Sequence, residues 1–168
     1  VKATATLATS GAATSGKVTS TLAEDFKLEP GDTLVIAVDG GPDQAATFDA
    51  AAPQVTSAAA FPTGFVGGET LELALNGEAQ SVVFTAADQT ASDVAARINV
   101  EISGAKAFVD AGQVVIETDR KGTAIQLQVA GGSANAVLNF STALQTGTGN
   151  VADISAVAAA EVESVIEA

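Results

Sequence analysis

Pro30-Gly31-Asp32-Thr33-Leu34-Val35-Ile36-Ala37-Val38-Asp39-Gly40 and Gly67-Gly68-Glu69-Thr70-Leu71-Glu72-Leu73-Ala74-Leu75-Asn76-Gly77 are two versions of one phrase, 37 residues apart. Gly, an acid, Thr and Leu coincide, and apolar residues then coincide at alternate positions: Leu34, Ile36 and Val38 against Leu71, Leu73 and Leu75. A period of two is that of a strand with one buried face. Each copy ends in Asp-Gly or Asn-Gly, the strongest short-range signal for a hairpin turn. A returning strand follows in each, Gln44 to Phe48 and Gln80 to Thr85, and each carries a Phe near the same place, Phe48 and Phe84. The pattern predicts two Phe-anchored β-hairpins with Leu34, Ile36, Val38, Phe48, Leu71, Leu73, Leu75 and Phe84 in the core. Val35 and Glu72 should face away from the strand residues beside them.

The second copy goes further. Asp88 to Asp93 offers helix N-cap residues, and Val94, Ile98 and Ile102 recur at helical spacing, which predicts a helix over 91–102 stopped at Ser103-Gly104. Strands are expected at Ala105 to Asp110, Gln113 to Thr118 and Ala124 to Val129, with turns at Ala111-Gly112 and Lys121-Gly122, and a last strand at Asn135 to Phe140. Residues 141–150 read as a linker of small and polar residues. Asp153 to Glu167 reads as a second helix whose end echoes the first at an offset of 68, Asp93 to Ile98 against Glu161 to Ile166. A chain that closes on such an echo belongs to a longer product or caps a neighbour.

The division that follows is an N-terminal arm or strand at 1–25, a first, incomplete β module at 26–65, a second β module at 66–141 with its helix at 91–102, and a linker with a C-terminal helix at 142–168. The fold class is mainly β (α+β): repeated β-hairpin, sandwich-like modules with one short helix per full repeat. The alternating start and the apolar stripe Ile154, Val157, Val162, Val165 and Ile166 are expected to meet neighbouring subunits through residues 1–20 and 150–168, or to fold back on their own domain.

Composition narrows the chemistry. Twenty acids against seven bases give a net charge of −13, which disfavours nucleic acid and anionic membrane surfaces as partners and suits a basic one. No apolar run approaches a membrane span, and the first residues lack the charged and apolar regions of a signal peptide. Without His or Cys, the commonest general base and the usual zinc ligands are missing. With seven Phe and no Trp or Tyr, a sugar-binding platform is poorly supplied, which counts against a polysaccharide-binding or degrading domain. Asp39-Gly40-Gly41-Pro42-Asp43 places two carboxylates in one turn, short of the 6–8 oxygens calcium takes, so turn formation is the expected role. Asp119-Arg120-Lys121-Gly122 reads as a solvated hairpin tip. Lys17 with Ser15 and Ser20, and Lys106, are the candidate Ser-Lys partners, and nothing else marks a site around them. No phosphate-binding glycine loop stands between a strand and a helix. The reading assigns no catalytic, cofactor-binding or metal-ligating residue.

From Gly67 to Val129 the order is strand, Asn-Gly hairpin, strand with Phe, polar cap, helix ending in Arg97-Ile98-Asn99, strand, turn, strand, Gly turn, strand. This resembles the "hook IN" motif of flagellar hook-associated proteins and flagellins, and repeats in tailed-bacteriophage virion proteins. Ile98-Asn99 and the hairpin after it carry the likeness, over roughly 60 of the 168 residues. The resemblance implies an exposed structural module of a large assembly without catalytic residues. Its partners would be copies of itself or other virion structural proteins, with neither nucleic acid nor membrane. The long terminal coiled-coil helices of hook proteins are missing, which favours a virion protein of the head or tail over a flagellar or bacterial cell-surface adhesive module.

Overall fold

The computed structural model describes residues 25–37 and 41–168. Strands β1 (Thr33–Ile36), β2 (Gln44–Thr47), β3 (Ala50–Ala51) and β4 (Gln54–Thr56) lead to the long hairpin β5 (Gly67–Leu75) and β6 (Glu78–Thr85). Helix α1 (Ala91–Glu101), β7 (Ala105–Asp110), β8 (Gln113–Thr118) and β9 (Gln126–Gly131) follow. The single turn α2 (Asn135–Leu138), β10 (Gln145–Thr146), β11 (Thr148–Gly149) and α3 (Ala159–Ile166) complete the order. The fold is mainly β, built of small antiparallel sheets with three short helices among the described residues.

The β5–β6 hairpin forms as its alternation dictates. Leu71, Leu73 and Leu75 are buried and Glu72 is exposed. Leu75 pairs with Glu78 across a two-residue turn in which Asn76 and Gly77 have φ of 51° and 86°. Two positive φ values define the turn whose twist matches that of the strands, and Asn and Gly adopt them most readily. Ala111-Gly112 makes the same turn between β7 and β8, with Asp110 paired to Gln113.

Two sheets share one core. The four-stranded sheet runs β10-β9-β5-β6 and the three-stranded sheet β4-β8-β7. Leu71, Leu73, Val82, Phe84, Leu127 and Val129 from the first meet Val55, Val114 and Ile116 from the second, and Phe65 stacks on Phe84 with ring centroids 5.0 Å apart. Helix α1 lies against β6, β7 and β8 and adds Val94, Ala95 and Ile98. It begins at Thr90, whose hydroxyl accepts from the Asp93 amide while the Asp93 carboxylate accepts from the Thr90 amide. This reciprocal box satisfies two of the donors that a helix start leaves unpaired.

A smaller core joins the two ends of the described chain. Phe48, Ala50, Val151, Ile154 and Val157 are buried together, with Phe26, Leu28, Leu34, Val162 and Val165 packed against them. Phe26 and Val157 exchange backbone hydrogen bonds, the Leu28 amide donates to Ile154, and β11 pairs with β3. The first hairpin is therefore completed by residues from the end of the chain.

Several expectations change accordingly. Leu34 is only half-buried and Ile36 is exposed, because no second sheet covers the β1–β2 hairpin among the described residues. Val38 lies outside the described residues, as do residues 1–24 of the arm expected at 1–25. Residues 54–65, grouped with the first module, pack with the larger core through β4 and Phe65. The strand expected at 135–140 is α2, stopped where Asn139 turns left-handed and the Asn135 amide holds both backbone groups of Phe140. The linker at 141–150 contains β10 and β11. The C-terminal helix starts at Ala159, since Ile154 lies in a turn and Val157 in a bridge to Phe26, and both side chains fill the smaller core. Of the apolar stripe expected to meet neighbours, Ile154 and Val157 are thus covered by the chain itself.

Candidate functional site

The described residues form a clamp on α1, a seam between the two cores and a groove beside α3. The clamp comes from side chains that stand in for a strand. Asn99 in the last turn of α1 accepts from the Ala107 amide through Oδ1 and donates through Nδ2 to the Ala107 carbonyl, both at 2.7 Å. Both are main-chain groups of β7, which is an edge strand of its sheet among the described residues. Two residues on, Glu101 Oε2 accepts from the Val83 amide of β6 at 2.8 Å. Gln80 completes the set, exchanging two bonds with the backbone of Ser103. An open edge invites another chain; here one helix closes parts of two edges at once. Asn is a weak helix former, and its position in a last turn was the sequence signal that could have disclosed this role.

The seam is built on backbone contact. A Cβ at Gly122 would overlap the backbone of Ala152, and one at Gly147 would overlap the carbonyl oxygens of Gly122 and Ala51. These glycines permit close approach of main chains rather than flexibility. Arg120, expected at a solvated hairpin tip, is in the crossover from β8 to β9, which belong to different sheets. Its guanidinium pairs with the buried carboxylate of Asp153, whose other oxygen accepts from the amide and hydroxyl of Ser155. A shallow cavity of 330 Å³ opens beside this pair, between Leu28, Glu29 and Pro30 and residues 119–121. Asn150 ties the same seam, accepting from the Asp49 amide and donating to the Thr47 carbonyl, each at 2.8 Å.

The groove has a volume of 460 Å³ and runs between the first hairpin and α3, lined by Leu34, Ile36, Pro42, Ala46, Val165 and Ile166.

Asp39 and Gly40 lie outside the described residues, while Gly41, Pro42 and Asp43 are exposed. Ser15, Lys17 and Ser20 also lie outside them. Lys106 is paired with Glu117 across β7 and β8 at 3.2 Å. Among the described residues no three His, Cys, Asp or Glu side chains gather as a metal site needs, and no helix is long and apolar enough to cross a membrane. Two carboxylates titrate low: the Thr90 hydroxyl and amide hold Asp93 below the usual range, and the amides of Val66 and Gly67 do the same for Glu69. Both are held there by helix-start or turn hydrogen bonds, which favour the charged form. Compared with known proteins, the chain matches no protein-family model and no curated protein.

Proposed function

We propose that this chain is a structural protein of a tailed-phage virion, decorating or stabilising head or tail through contacts with its own copies or with other virion structural proteins. The observation that most supports the reading is the α1 clamp. Ile98 fills the core between the sheets while Asn99 holds the β7 backbone. The residue pair that carries the resemblance to hook IN and phage repeats thus has a structural task in this chain. In those families the module is an exposed unit of a large assembly. A net charge of −13 keeps such a module soluble and off nucleic acid, and suits a basic partner. The reading assigns no catalysis.

Electron microscopy of the native source with a labelled antibody tests it. Label at symmetric positions on heads or tails is the expected result. Label confined to flagella or the cell surface gives the hook-associated reading instead, and label on no particle or surface structure rejects both.

A further inference from the structure

Helix α3 stands to the β1–β2 hairpin as α1 stands to β5–β6. Helix α1 lies against β6, and α3 against β2. The Thr90 amide donates to Asp93 at 3.0 Å, and the Ala158 amide donates to Glu161 at 2.9 Å, so the same back-bond opens both helices. Glu161, Val162 and Ile166 follow Asp93, Val94 and Ile98 at the constant offset of 68, as the hairpins follow each other at 37. The smaller unit is a discontinuous copy of the larger, its hairpin near one end of the chain and its helix at the other.

The copies differ in cover. Leu73 and Ile98 are 0% exposed, while their counterparts Ile36 and Ile166 are 36% and 42% exposed. In the larger unit the β7–β8 hairpin lies on α1 and brings Ala105, Ala107, Val114 and Ile116 into the shared core. In the smaller unit the corresponding place is the 460 Å³ groove. Its surroundings are acidic: Asp43, Glu163 and Glu167 are exposed, and neither 41–47 nor 158–168 contains a Lys or Arg.

We propose that this groove docks a β-hairpin of a neighbouring subunit, laid on α3 as β7–β8 is laid on α1. The hairpin presents alternating small and β-branched apolar residues to Ile36, Val165 and Ile166, and a Lys or Arg beside them toward Asp43 and Glu167. Burial of the apolar row supplies the attraction, and the basic flank answers the acidic rim. The inference rests on the assembly reading above, for which it names the surface.

The test uses the full chain and, as probe, a cyclised peptide of its residues Ser103–Asp119 with Asp110→Asn, Glu117→Gln and Asp119→Asn, which keeps Ala105, Lys106, Ala107, Val114 and Ile116 and leaves Lys106 as its one charged side chain; cyclisation holds the hairpin shape. Amide NMR shifts are followed as the peptide is added to about 1 mM, the weak end of specific affinity. The expected shifts are confined to 34–36, 41–46 and 162–168, are weakened at least about tenfold by Ile166→Asp, and fall with added salt. Ile36→Asp on the opposite wall should act alike, and an unchanged amide spectrum elsewhere shows that each variant is folded. No shifts, shifts elsewhere, or shifts indifferent to both variants overturn the proposal. Light scattering on the chain alone addresses the assembly reading separately: a monomer at every concentration removes self-association but leaves the peptide result to decide the groove.

Discussion

Replacing Asn99 by Ala removes the two hydrogen bonds that close β7 and leaves the amide and carbonyl of buried Ala107 without partners. A net worth of about 1 kcal/mol for each bond gives a loss of about 2 kcal/mol. Ala is the better helix former by about 0.5 kcal/mol, which offsets part of it. The expected change is about 1.5 kcal/mol, or a fall in Tm of roughly 3–6 °C for a chain of this size. Asn99→Asp separates the two bonds. The carboxylate still accepts from the Ala107 amide but sets its second oxygen against the Ala107 carbonyl, so this variant is the less stable of the two at neutral pH. The facing carbonyl favours the protonated acid, which can donate to it, so the deficit shrinks as pH falls through a folded-state pKa raised above the ordinary value and is smallest below about 4. Urea melts give the stabilities, and hydrogen exchange at Ala107 gives the local readout. A loss under about 0.5 kcal/mol for Asn99→Ala, the size of an ordinary surface change, with Ala107 exchange unaltered, would refute the clamp.

Phe84→Ala removes a ring that is fully buried against Phe65 and should cost about 3–5 kcal/mol in denaturant melts; a loss below about 1 kcal/mol would contradict the packing. Gly147→Ala drives a Cβ into Gly122 and Ala51 and should cost more than about 1 kcal/mol. Its signature is lost exchange protection at Phe26, Leu28, Ile154 and Val157 with α1 unaffected, whereas a uniform or absent response would argue against a separate smaller core. Asp93, held low by Thr90, should show an NMR titration midpoint below the ordinary value of about 3.9. Its contribution is fully present above that pH and is lost as pH falls through the depressed folded value. Thr90→Val should move the midpoint upward, and an unmoved midpoint would sink the assigned cause.

Wherever the chain's signals are local, the sequence discloses the fold. Asn76-Gly77 and Ala111-Gly112 specify their turns by the positive φ they tolerate, Leu71 to Leu75 specify a strand by period two, and Val94, Ile98 and Ile102 specify a helix whose box is written in Thr90 and Asp93. Asn135 to Phe140 misleads because a run of six residues is too short for periodicity to separate a strand from a single helical turn. Residues 141–150 mislead for another reason: Gly147 and Gly149 look like linker residues but permit close backbone contact with residues distant in sequence. Asp49 and Asn150 are 101 residues apart, and nothing local to either indicates the other. The same applies to the groove, which exists only because α3 returns to the first hairpin. Asn99 was visible as part of a family-like pair, but its task depends on where β7 lies.

The discontinuity of the smaller unit has a consequence for synthesis. The hairpin that carries Phe48 leaves the ribosome well before its partners Val151, Ile154 and Val157 exist. With Asn150 placed 101 positions after Asp49, and elongation at about 5–20 residues per second, the interval is roughly 5–20 s. Hairpins form in about 1–10 μs, so the first hairpin spends that interval sampling its shape with its apolar side uncovered. On a polysome, nascent chains carrying the same uncovered hairpin stand side by side, each able to receive the closing segment of another. The order of translation thereby makes exchange of that segment between copies compete with closure within one chain, and a slower ribosome favours the exchange.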